Sequence, residues 1–147
     1  MSTRALSLIF SILVIGTVLS CEPDRSDAAI PTAVFTDLVL NLSLPEYNDL
    51  NSKGFKYISG GVRGMIIVKL ADTYKVYERN CSYQPNEACA TVEMHSSNLY
   101  MVDPCCGSMF NRTDGSVQGG SAWRPLLIYT SYLNGATLTI TDEPANY

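Results

Sequence analysis

The chain has 147 residues, a length for one domain, and a net charge of −4 at neutral pH. That balance excludes a nucleic-acid binder, which needs a basic face. The acidic excess is mild and spread along the chain, so it serves solubility rather than an acidic binding face.

The first element is a targeting segment. One positive charge, Arg4, precedes residues 5–19, an uncharged run rich in Leu, Ile and Val. This is the apolar stretch of a secretory signal, too short for a lasting membrane span, which needs about 20 apolar residues. The run ends Val18-Leu19-Ser20-Cys21. It resembles a bacterial lipobox, which implies cleavage of a signal peptide of residues 1–20 and lipidation of Cys21. Residues 21–32 then read as a polar, proline-containing tether, and residues 33–147 as the folded domain. The resulting expectation is an exported bacterial protein held to the membrane by Cys21, on the periplasmic side or at the cell surface.

Strand signals dominate the rest. Residues 34–44 predict a half-buried strand, with Val34, Leu38, Leu40, Leu42 and Leu44 on one face. Residues 45–54 form a loop with one turn of helix near 46–50. Residues 55–58 and 62–70 follow, and the unbroken apolar run Met65-Ile66-Ile67-Val68 predicts burial on both faces. A turn at 71–73 leads into 74–78. Hairpins are predicted for 90–94 with 99–102, for 109–111 with 116–118 across Asp114-Gly115, and for 126–132 with 136–141 across Asn134-Gly135. Eight to ten short strands with almost no helix predict an all-β sandwich or small barrel.

Apart from Cys21, four cysteines remain: Cys81, Cys89, Cys105 and Cys106. An even set in an exported chain points to disulfides, and four cysteines allow three connectivities. Four thiolates are also enough for an iron–sulfur cluster or a zinc ion. The spacing lacks the usual Cys-x-x-Cys pairing of zinc sites.

Around these cysteines stand Cys81-Ser82-Tyr83-Gln84-Pro85, then Asp103-Pro104-Cys105-Cys106-Gly107-Ser108-Met109-Phe110, then Asp114-Gly115 and Gly119-Gly120-Ser121-Ala122-Trp123-Arg124-Pro125-Leu126. Together they resemble a Rieske iron–sulfur domain. That family carries Cys-x-His, then Cys-x-x-His-Gly-Ser-x-Phe, Asp-Gly and Gly-Pro-Ala-x-x-Pro-Leu. Ser121 departs from the proline that usually precedes the alanine. The resemblance spans about residues 60–141. It implies an antiparallel β-sandwich with a small loop subdomain that places the cluster at one tip.

The ligands of the family carry over incompletely. Cys81 falls on the first cysteine position, Tyr83 on the first histidine position, Asp103 on the second cysteine position and Cys106 on the second histidine position. The only histidine, His95, lies in a predicted turn. The resemblance therefore implies a domain without the standard [2Fe–2S] cluster and with no cofactor expected. Because some Rieske proteins join the two loops by a disulfide, it also implies a Cys89–Cys105 pair, leaving Cys81 and Cys106 to pair across the vacated site. The alternative is a divergent electron carrier with a cysteine-rich [2Fe–2S] cluster on Cys81, Cys89, Cys105 and Cys106, Asp103 standing in for one of them.

No phosphate cradle, nucleophile elbow or thiol–imidazole pairing is legible, so the chain does not read as an enzyme. The expected role is structural or binding, with a tip at 84–87 and 109–111 as the contact surface. Trp123 is expected in the core.

Overall fold

A computed structural model describes residues 28–145. The lipobox, Cys21 and most of the tether lie outside the described residues. Ten strands form two antiparallel sheets. The larger has the order β1-β10-β9-β4-β3-β2, from β1 (Leu38–Asn41), β10 (Thr137–Pro144), β9 (Ile128–Asn134), β4 (Tyr74–Glu78), β3 (Met65–Lys69) and β2 (Phe55–Ile58). The smaller has the order β5-β6-β7-β8, from β5 (Glu93–Met94), β6 (Tyr100–Val102), β7 (Met109–Asn111) and β8 (Val117–Gly119). A 3₁₀ turn at Pro45–Tyr47 runs into a single helical turn at Asn48–Ser52. No described helix is long and apolar enough to cross a membrane.

β3 explains the layering. Successive side chains of a strand point to opposite faces. Ile66 and Val68 join one core cluster, with Tyr77, Met101 and Phe110, which ties the large sheet to the small one. Met65 and Ile67 join a second, with Tyr47, Leu50, Tyr129 and Ile140, on the other side. The unbroken apolar run is buried on both faces because each face has its own core.

The first strand is shorter than its alternation predicts. Leu38, Leu40 and Leu42 pack on the second core, but Val34 is 93 % exposed. Leu38–Asn41 pairs with β10, and the Leu42 amide reaches the Ala136 carbonyl just before it. The run 62–70 also starts late, at Met65. The amides of Val62 and Arg63 donate instead to the buried carboxylate of Glu78, at 2.7 and 3.0 Å. The Asn80 amide and the Tyr129 hydroxyl complete that carboxylate's shell, at 2.9 and 2.7 Å. A buried charge is tolerable when its oxygens are bonded in this way. At the other end, Arg124 donates to the Ala28 carbonyl at 2.7 Å and Ile30 packs on the second core. The last residues read as tether therefore lie against the domain.

Candidate functional site

Two loops converge at the end of the first core. The first, residues 81–90, leaves β4 through Asn80, which bridges to Thr91. The second, residues 103–108, joins β6 to β7. The disulfide Cys89–Cys105 fastens one to the other.

Asp103 organises the second loop. It is fully buried. Its amide donates to the Ser108 carbonyl at 2.9 Å, and its own carbonyl accepts from Gly107 at 2.8 Å. One carboxylate oxygen accepts the Cys105 amide at 2.8 Å, which is the usual Asx turn. The other lies 3.2 Å from the Cys106 sulfur, as acceptor of its S–H. Ser108, also buried, places its hydroxyl 2.9 Å from the same sulfur. That hydroxyl accepts the Ala122 amide at 2.9 Å, so a third segment, residues 119–126, is pinned to the site. Ser82 adds a further tie, donating to the Arg124 carbonyl at 2.6 Å.

The first loop is held from outside by Arg63, which donates to the carbonyls of Glu87 and Ala88 and to the Asn80 side chain. Nothing in the pattern around Gly60-Gly61-Val62 marks Arg63 for this role; its guanidinium reaches loop residues more than 20 positions away. Cys81 is fully buried in the first core. Burial pushes its thiol well above the ordinary range; the Tyr83 backbone works the other way, and Asp103 adds to the rise.

The four cysteines are thus used unequally. Cys89 and Cys105 are bonded, as the resemblance implied. Cys81 and Cys106 do face each other, but as free thiols with their sulfurs 3.8 Å apart, so the second bridge is absent. With Cys89 and Cys105 joined, a ligand set of all four cysteines, for iron or for zinc, would need that bridge reduced. What remains is Cys81, Asp103 and Cys106, whose ligand atoms all lie within 4.8 Å of one another. Tyr83 is half-buried and packs against the same core. His95 is in the β5–β6 turn, bonded to Ser97 and stacked on Tyr100 at 4.3 Å between ring centres.

The expected contact surface is only half present. Asn86 and Glu87 are exposed, but β7 is an inner strand and Phe110 is fully buried. Trp123 is not in the core: it is 46 % exposed, with the Arg124 guanidinium over its ring at 4.9 Å. Its indole ring is covered on one side by a cation instead of by core side chains.

Two antiparallel sheets with two cross-linked loops at one tip define a Rieske-like domain of the all-β class. Among solved structures the chain is similar to the cyanobacterial plasma membrane Rieske protein PetC3 from Synechocystis PCC 6803, with 24 % identity, a TM-score of 0.52, and 63 % of this chain and 91 % of that chain covered. No protein-family model and no curated protein matches.

The fold family implies a [2Fe–2S] cluster, and the residues do not fit it. Such a cluster takes four ligands, two on each iron, with imidazoles on one iron. Here the two histidine positions hold Tyr83 and Cys106, and one cysteine position holds Asp103. Cys81 and Cys106 occupy positions that serve different irons, yet their sulfurs are 3.8 Å apart, closer than ligands at opposite ends of a two-iron cluster stand.

Proposed function

We propose that the protein is an exported, lipid-anchored Rieske-like domain that carries no Rieske cluster and has a structural or binding role in the bacterial envelope. One observation carries the reading: no imidazole is available at the site, since the only histidine of the chain, His95, is engaged in a turn with Ser97 and Tyr100. Electron transfer of the Rieske kind depends on two such ligands. The same lack of an imidazole beside Cys81 or Cys106 speaks against a thiol–imidazole pair. A binding role falls to the exposed rim of the loops, around Asn86, Glu87, Pro104 and Trp123. The partner in the membrane is the bilayer itself, through Cys21, and the acidic balance speaks against nucleic acid. The similar structure is that of a plasma membrane protein, which supports an envelope location.

The test is to express the chain with its export signal and assay iron, acid-labile sulfide and visible absorbance. The expected product is colourless and free of both. A brown protein with about two irons and two sulfides per chain overturns the reading in favour of a cysteine-rich cluster. For the anchor, fatty-acid labelling should disappear in Cys21→Ser; labelling that persists refutes lipidation at that residue.

A further inference from the structure

We infer that Cys81, Asp103 and Cys106 form a site for one thiophilic divalent ion of the zinc type. The inference rests on the cluster-free reading and deepens it. Its starting point is a distance. Two sulfurs bound to one tetrahedral ion at about 2.3 Å each stand about 3.8 Å apart. The sulfurs of Cys81 and Cys106 are 3.8 Å apart, and an oxygen of Asp103 completes a group that fits within 4.8 Å. A disulfide needs a separation of about 2.0 Å. The observed spacing, an S–H···S contact between the free thiols, is also the spacing that two ligands of one ion require.

The surroundings already orient two of the three donors. Metal-bound sulfurs and carboxylates are held by second partners that orient them and spread their charge. Here two of the three donors already have one, Asp103 and Cys106. The Cys105 amide donates to Asp103 at 2.8 Å. The Ser108 oxygen accepts from the Ala122 amide, which leaves its own proton for the Cys106 sulfur, 2.9 Å away. The Cys89–Cys105 bridge and Arg63 hold the two loops at this spacing without using either free thiol.

The balance is simple. Two metal–sulfur bonds and one metal–oxygen bond form, two thiol protons leave to solvent, and water takes the fourth position. Two thiolates, one carboxylate and a divalent ion carry a net charge of −1, facing the Cys105 amide and the Ser108 hydroxyl. Sulfur ligands select against magnesium and calcium, which take oxygen shells.

Cobalt(II) reports thiolate ligation directly. The full chain carrying Cys21→Ser, so that only Cys81 and Cys106 can supply thiolate, is titrated with cobalt and then with zinc. The expected result is one cobalt per chain, with sulfur-to-cobalt charge-transfer absorption that zinc bleaches. Cys106→Ser, at a half-buried position, should lose about half that absorption and weaken binding at least about tenfold, while Asp103→Asn should keep the absorption and weaken binding. A chain with two free thiols and no charge-transfer band overturns the inference. So does a band that survives Cys106→Ser unchanged, or a freshly isolated chain with no free thiol. Iron and sulfide in the isolated chain would instead overturn the cluster-free reading, so the two failures are distinguishable.

Discussion

The hydroxyl of Ser108 touches the sulfur of Cys106 at 2.9 Å and accepts the amide of Ala122 at the same distance. One buried oxygen thus joins the second loop to the segment that follows β8. In a Rieske-like fold the loops must be kept at a fixed spacing for the tip to have any chemistry. In this chain Ser108, the Cys89–Cys105 bridge and Arg63 do that from three directions.

Ser108→Ala removes the acceptor of a buried amide and the partner of a sulfur. Leaving a buried donor unsatisfied costs about 1–3 kcal/mol. The expected outcome is an unfolding free energy lower by that amount, read as a lower urea midpoint with an unchanged slope. A midpoint equal to that of the parent would mean that Ala122 finds another partner.

Gly120 and Gly107 offer a paired test. Both have positive φ, +84° and +70°. A Cβ on Gly120 would run into the Gly107 carbonyl and stand 2.5 Å from the Ser108 Cα, whereas a Cβ on Gly107 meets nothing within 4 Å. Gly107→Ala should therefore cost only left-handed backbone strain, about 1–2 kcal/mol. Gly120→Ala should cost clearly more and disturb the loop, since backbone would have to move. Equal losses in thermal unfolding would refute the close approach.

Much of this was legible beforehand, for local reasons. The run Met65-Ile66-Ile67-Val68 announced a strand with two buried faces, and Asp114-Gly115 announced the β7–β8 turn, because both signals are carried by neighbours in sequence. Gly107-Ser108 stood out as part of the family motif, and Ser108 touches both a sulfur and an amide. What escaped depends on distant partners. Val34 alternates like a strand residue, but its edge has no neighbour. Trp123 has a core residue's composition, but Arg124 covers its ring in the open. The thiol state of Cys81 and Cys106 depends on how two loops meet; spacing alone leaves three connectivities, and the Cys89–Cys105 pair came from the family resemblance.

The Cys89–Cys105 bridge closes a loop with a sequence separation of 16. In the chain-entropy account a loop of this length contributes about 3 kcal/mol by restricting the unfolded chain. The double variant Cys89→Ser, Cys105→Ser should lose about that much in urea or thermal unfolding and still show Cys81 and Cys106 as thiols. A third and fourth reactive thiol in the parent chain carrying Cys21→Ser would show that the bridge is not formed.

Two buried phenols make stability fall in alkali. Tyr77 donates to the Arg112 carbonyl at 3.0 Å, and Tyr129 donates to the Glu78 carboxylate at 2.7 Å. Burial is the main cause that pushes both above the ordinary phenol value of about 10; the Asp114 charge adds to the rise at Tyr77, and the bond to Glu78 adds to it at Tyr129. The folded chain therefore keeps two protons that the unfolded chain releases. Their stabilising contribution is present in full below the unfolded value of about 10 and is lost as pH climbs beyond it towards the folded values. Urea midpoints should hold steady up to about pH 8, begin to fall as the unfolded Cys81 thiol ionises, and drop further from about pH 10 upward as the unfolded phenols do. Tyr77→Phe should flatten part of that fall, because phenylalanine has no proton to lose, at the cost of an unpaired Arg112 carbonyl. A midpoint that stays level into strong alkali, or a fall as steep in Tyr77→Phe as in the parent, would refute the burial of these phenols as its cause.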